Sequence, residues 1–139
     1  MDDILIAARA NDLKDELMQH LQKTYKDLNV QSSNKLFYLG LQMDINRNSR
    51  STRLSQSGYV ADLLREYPVT KSAGTPATDS LFDLSEVGTS VDSTAFASKL
   101  MKLSYLGKRT RPALLLAVSF LATRMKELNH CDELKLTRV

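Results

Sequence analysis

Asp2 and Asp3 are adjacent carboxylates directly ahead of the apolar run Ile4-Leu5-Ile6. Hard divalent cations such as magnesium take oxygen ligands, commonly one or two carboxylates together with the phosphate oxygens of a substrate. The pair is therefore part of a metal site, or else a solvated acidic terminus. Successive side chains of a strand point to opposite faces, so only one of the two would face an ion squarely unless a turn intervenes. A two-metal centre also needs a further carboxylate from elsewhere. Arg47, Arg50 and Arg53 form one basic group, and Lys99, Lys102, Lys108, Arg109 and Arg111 another. Both groups suit phosphates, and both suit a solvated face; Lys108, Arg109 and Arg111 also suit the carbonyls at a helix end. Tyr38, Tyr59 and Tyr105 offer faces on which bases stack. Tyrosines at the edge of apolar stripes more commonly pack, with the hydroxyl hydrogen-bonded. His130 and Cys131, neighbours on a helix, point about 100° apart, and no third orienting group accompanies them, so neither a shared metal nor a thiol nucleophile is expected.

These residues need elements to hold them. Residues 4–8 form a short apolar run of strand length. Leu13, Leu17, Leu21, Tyr25 and Leu28 recur at helical spacing, with Lys14, Asp15, Glu16, Gln22 and Lys23 on the other face, which predicts an amphipathic helix capped by Asn11 or Asp12. Phe37, Leu39, Leu41, Met43 and Ile45 alternate with Tyr38, Gly40, Gln42 and Asp44. That period of two predicts one half-buried strand, followed by a polar turn over residues 46–51 and a return strand. Gly40 within it marks a bulge or a close approach of backbones. Ser57 is placed to cap a short helix with Val60, Leu63, Leu64 and Tyr67 as its stripe, ended by Pro68. Residues 69–92, rich in Ser and Thr with Gly74, Pro76 and Gly88, read as a long surface loop. A helix over residues 93–107 is expected to end at Gly107. Pro112 opens a further helix over residues 113–128, and residues 130–139 begin another.

Composition sets the frame. The 139 residues carry 19 Lys and Arg against 16 Asp and Glu, a net charge of +3, too small to establish a polyanion partner. The length suits one ordinary domain with a sizeable core. A single cysteine, Cys131, excludes an internal disulfide framework and a multi-cysteine zinc site, which points to an intracellular setting, cytoplasmic or nuclear. The longest apolar run, residues 113–122 interrupted by Ser119, is far short of the roughly 20 residues that span a bilayer. No membrane association and no secretory signal are expected.

The ordered series Asp2-Asp3-Ile4-Leu5-Ile6-Ala7, Leu13-Lys14 with Leu17, Tyr25-Lys26-Asp27-Leu28, Phe37-Tyr38-Leu39-Gly40-Leu41, Leu54-Ser55-Gln56 with Tyr59 and Leu63-Leu64, Thr75-Pro76, Leu103-Ser104-Tyr105-Leu106 and Thr110-Arg111-Pro112 with Ala117-Val118 resembles the reverse transcriptase of Ty1/copia-type retrotransposon Pol polyproteins. The resemblance covers nearly the whole chain. It implies an α+β fragment of a polymerase. Residues 1–68 would be the C-terminal part of the palm, a short strand, a helix and a β-hairpin; residues 69–92 would be a linker; residues 93–139 would be thumb-like or connection helices ahead of a ribonuclease H domain. Asp2 and Asp3 match the acidic pair of the family's aromatic-x-Asp-Asp hairpin and would be catalytic ligands of Mg2+. Phe37, Tyr38, Leu39 and Gly40 match the hairpin that grips the primer, and Arg109 and Arg111 fall among the basic residues that would touch nucleic acid. The implied partners are a primer-template duplex of RNA and DNA and deoxynucleotides, and the implied activity is RNA-directed DNA synthesis.

The departures matter as much. The earlier palm strand with its own aspartate, the fingers and the nucleotide-selecting segment would lie upstream. The chain alone is therefore expected to be inactive, since metals and positioning carry phosphoryl transfer. Lys102 and Ala113 stand where the family usually has a small residue and an aspartate. The alternative reading is a non-catalytic remnant that binds nucleic acid or a protein, with self-association through exposed palm edges.

Overall fold

The computed structural model describes residues 4–25, 27–84 and 91–139. It is an α+β chain in two compact units that divide between Ser55 and Gln56.

The first unit holds helix α1 (Asn11–Thr24) and an antiparallel sheet of β1 (Lys35–Tyr38), β2 (Leu41–Asn46) and β3 (Ser51–Ser55), in the order β1-β2-β3. Residues 4–8 are not a strand, contrary to the sequence expectation. The run is short and apolar but finds no partner ladder among the described residues, and length alone does not supply one. Helix α1 forms where the periodicity puts it, yet Ala10 occupies the N-cap and no side chain caps it. Its stripe is not covered either: Leu13 is 61% and Leu17 41% exposed, and none of its residues is buried.

The single long strand expected through residue 45 is instead two. Tyr38 pairs with Leu41, Phe37 with Gln42, Leu36 with Met43 and Lys35 with Asp44. The reversal falls on Leu39 and Gly40, both at positive φ (46° and 72°), the combination that a two-residue type I′ hairpin turn requires. Gly40 therefore serves a turn and not a bulge. The second reversal uses Asn46, whose Oδ1 accepts from the amides of Asn48 and Ser49, each at 3.1 Å. Such an Asx-type bond mimics a backbone turn.

The second unit contains α2 (Ser57–Glu66), α3 (Ser93–Arg109), α4 (Leu115–Thr123) and α5 (His130–Arg138), with 3-10 turns at Asp79–Phe82 and Pro112–Leu114. Its core is one cluster of Leu63, Phe96, Leu100, Leu103, Leu106, Val118, Leu121 and Leu136. Helix α2 contributes Leu63, so it belongs with the later helices. Gln56, not Ser57, holds its N-cap position, and no side chain caps it. Asp92 caps α3 by accepting from the amides of Thr94 (2.9 Å) and Ala95 (3.2 Å). This helix runs past Gly107 to Arg109. Gly107 does not end it; a Cβ there would meet Leu115 Cδ2 at 3.0 Å, so the glycine admits the next element.

The helix expected over residues 113–128 is broken into the Pro112–Leu114 turn and a nine-residue α4. It ends at Thr123, and just past it Arg124 Nη2 donates to the Glu127 carbonyl at 3.0 Å, holding the turn that follows. Helix α5 begins with a capping box: Asn129 Oδ1 accepts from the Asp132 amide at 3.0 Å, and the Asn129 amide donates to Asp132 Oδ2 at 3.3 Å. Asp132 is buried, and Arg124 Nε lies 3.5 Å from its carboxylate, so the box is tied to the end of α4.

The described part of the expected loop is anchored at several points. Leu81 is buried, the Phe82 ring meets Phe120 edge-on at 5.0 Å, and Lys135 Nζ donates to the Asp83 carbonyl at 2.6 Å. Among the described residues no helix is long and apolar enough to cross a membrane.

Burial separates two kinds of leucine. Leu121 is fully buried, so Leu121→Ala is expected to cost about 3 kcal/mol of unfolding free energy, whereas Leu17→Ala on the uncovered stripe should stay within about 0.5 kcal/mol. Denaturant midpoints of the two variants check this. A second expectation concerns acid. The Lys102 ammonium donates to Glu66 and holds its carboxyl below the usual value. A depressed folded-state value stabilises above the unfolded carboxyl range and is lost as pH falls through the folded one. Glu66→Gln should therefore flatten the acid side of the stability-pH curve, read by thermal unfolding at stepped pH.

Candidate nucleic-acid interface

The first candidate surface is the hairpin. Residues opposite one another in an antiparallel ladder share a face. Leu36, Met43 and Leu54 therefore lie on one side with Tyr38 and Leu41, and Phe37, Gln42 and Ser55 on the other with Lys35, Asp44 and Arg53. The first side is the apolar one, where Leu41 is buried and Tyr38 half-buried. Phe37 stands on the polar side and is 71% exposed. An exposed ring next to a tight turn, with Lys35 and Arg53 on the same face, suits a base or sugar with its phosphates. Asp44 lies between those two cations in register and accepts from Gln42 Nε2 at 3.2 Å.

Phe37, Tyr38, Leu39 and Gly40 thus form one structural feature, two strand residues and the two turn residues that follow. Left-handed backbone costs a residue with a Cβ roughly 1–2 kcal/mol, and Leu39 bears it where asparagine is the favoured choice. Arg47 and Arg50 sit at the opposite end of the sheet, on the β2–β3 turn, where Arg47 Nε donates to Asn34 Oδ1 at 3.4 Å.

The second candidate surface is the corner where α3 ends and α2 begins. Lys108 and Arg109 occupy the last turn of α3, where cations answer the negative helix end. Arg111 follows, its side chain exposed and its amide donating to the Leu106 carbonyl at 3.1 Å. The Arg109 guanidinium lies 5.6 Å from the centre of the Tyr105 ring, and Tyr105 meets Tyr59 of α2 edge-on at 5.2 Å. Tyr59 donates its hydroxyl to the Lys102 carbonyl at 3.0 Å, and burial raises its phenol above the ordinary value, against the opposing pull of Lys102, so it stays a donor. Both tyrosines pack, as is usual for rings at the edge of an apolar stripe.

Gln56 adds a residue that sequence reasoning missed. It is buried at the N-cap of α2, its Oε1 accepts from Thr110 Oγ1 at 2.8 Å, and its Nε2 has no partner among the described residues. A glutamine between Ser55 and Ser57 has no pattern that announces burial; only its place in the Leu54-Ser55-Gln56 motif singled it out. No acid sits in the first turn of α2, so the positive end of that helix is not neutralised locally.

Asp2 and Asp3 lie outside the described residues. Among the described residues no group of three or more His, Cys, Asp or Glu could hold a metal ion. His130 faces Glu133, Nδ1 to Oε2 at 3.4 Å, and Cys131 is a half-buried free thiol. What the described residues offer is binding: cations, a stacking ring and helix ends.

Because Leu39 carries left-handed strain, Leu39→Asn is expected to stabilise the hairpin by about 1 kcal/mol, measured as slower amide exchange in β1 and β2. In comparisons with protein-family models, curated proteins and solved structures, no match to this chain is found.

Proposed function

We propose that this chain is a portion of the reverse transcriptase of a Ty1/copia-type retrotransposon, and that its own part in RNA-directed DNA synthesis is to hold the primer-template duplex. The observation that carries the reading is the hairpin. The resemblance likens Phe37-Tyr38-Leu39-Gly40-Leu41 to the hairpin that grips the primer; alternation predicted one strand there, and the segment instead turns so that Tyr38 pairs with Leu41. The exposed Phe37 ring then lies at the terminal base pair. Lys108, Arg109 and Arg111 bind phosphates. In the parent enzyme Asp2 and Asp3 are the catalytic ligands of Mg2+ and deoxynucleotides are the substrates. Nucleotidyl transfer needs a further carboxylate beside Asp2 and Asp3, so binding without extension is expected of these 139 residues by themselves.

A second reading is favoured by the uncovered stripe of α1 and by β1 and β3, which are both edge strands. On that reading the chain is a non-catalytic remnant that associates with itself or with another protein.

Binding to a fluorescent primer-template duplex across a salt series separates the two. The duplex reading expects affinity that falls steeply with salt. Arg109→Ala and Arg111→Ala each take one cation away from the phosphates, and each should reduce the log-log slope by about 0.9. Phe37→Ala should weaken binding about tenfold without loss of stability, the scale of one stacked base. Salt-insensitive or absent duplex binding overturns this reading in favour of the remnant, and template-directed extension by the chain with Mg2+ overturns its inactivity.

A further inference from the structure

Within the second unit, α2, α3 and α5 border a half-open hollow of about 330 Å³. That is at the lower end of the range for small-molecule sites, which are mostly apolar with a few placed polar groups. Leu63, Leu103, Leu106 and Leu136 line it from the core, and Leu64 and Val69 stand at its exposed rim. Two cations, Lys99 and Arg111, also line it with the last residue, Val139, and no Asp or Glu side chain does among the described residues.

The two cations are not equivalent. Arg111 is exposed, and among the described residues its side chain has no ion pair. Lys99 is held against the wall: its Nζ donates to Thr137 Oγ1 at 3.3 Å and lies 5.6 Å from the centre of the Tyr67 ring. Burial lowers its affinity for the proton, opposed by the more distant charge of Glu133. A partly buried ammonium with no bonded carboxylate, at the edge of an apolar hollow, is an anchor for an anion. Lys99 and Leu103 are four residues apart on α3, so the charge and the apolar floor share one helix face. A ligand satisfying both must be apolar along its body and anionic at one end.

We propose that this hollow binds a single-chain amphiphilic carboxylate, with its aliphatic body against Leu63, Leu103 and Leu136 and its carboxylate on Lys99. The site is centred on Lys99, which the duplex reading does not use, and it stands whether or not the chain binds nucleic acid. Charge complementarity selects the occupant: a neutral chain of the same length fills the same walls but gives Lys99 no ion pair.

The test uses the full chain and two probes, octanoate and octanol, titrated under calorimetry and by amide chemical shifts. Octanoate is expected to bind saturably and about tenfold more tightly than octanol. Lys99→Met should remove that preference by weakening octanoate about tenfold while leaving octanol unchanged, and Lys99→Arg should retain it. Leu64→Asp, on the exposed rim, should weaken both probes without unfolding the chain, as circular dichroism will show. Equal affinity of the two probes, octanoate binding unchanged in Lys99→Met, or no saturable binding of either probe overturns the proposal.

Discussion

A Cβ at position 107 would sit 3.0 Å from Leu115 Cδ2, so glycine lets α4 and the Pro112–Leu114 turn close on α3 without Leu115 having to give way. Glycine inside a helix costs up to about 1 kcal/mol relative to alanine. The cost is offset by what the approach allows. With α3 and α4 in contact, Phe96, Leu100, Leu103 and Leu106 on one helix meet Val118 and Leu121 on the other, and Leu136 of α5 closes the cluster. Everything else in the second unit is arranged around that contact. The corner basic residues emerge where α3 runs past it, and the apolar hollow lies where α2 and α5 flank α3.

The first unit has no comparable centre. Among its described residues only Leu41 is buried. Small sheets and lone helices gain little stability from propensity alone and depend on a packed face. The contrast explains why residues 11–24 form a helix and yet bury nothing: the periodicity sets local conformation, while coverage requires a surface to pack against.

Elements whose signal is local were legible in the sequence. The stripe of α3, the stop at Pro68 and the polar reversal after residue 46 all follow from residue type and spacing, whereas the helix expected from Pro112 to residue 128 is a turn and a shorter helix. Elements whose signal is an exchange of partners were not. Residues 37–45 alternate perfectly, and the alternation survives a two-residue turn because Leu39 and Gly40 replace one apolar and one small position; only their φ values show the reversal. Gly107 reads as a helix end when the helix is taken alone and as a packing contact once Leu115 is beside it. Ser57 looks like a cap by type, but the chain enters α2 one residue earlier, through Gln56. At the candidate interface the exposure of Phe37 was hidden by the same broken alternation, and the burial of Gln56 depends on Thr110, far along the chain. Asp2 and Asp3 rest on the motif alone.

Lys102 touches α2 at two levels. Its backbone carbonyl takes the Tyr59 hydroxyl, and its side chain takes Glu66 and lies over Tyr67. Tyr59 and Glu66 are seven residues apart, about two helical turns. A helix held at one point can swivel about it, and a second contact two turns along opposes that rotation. The carbonyl contact does not depend on the side chain, so a small residue at position 102 would keep the Tyr59 bond and lose the Glu66 and Tyr67 contacts.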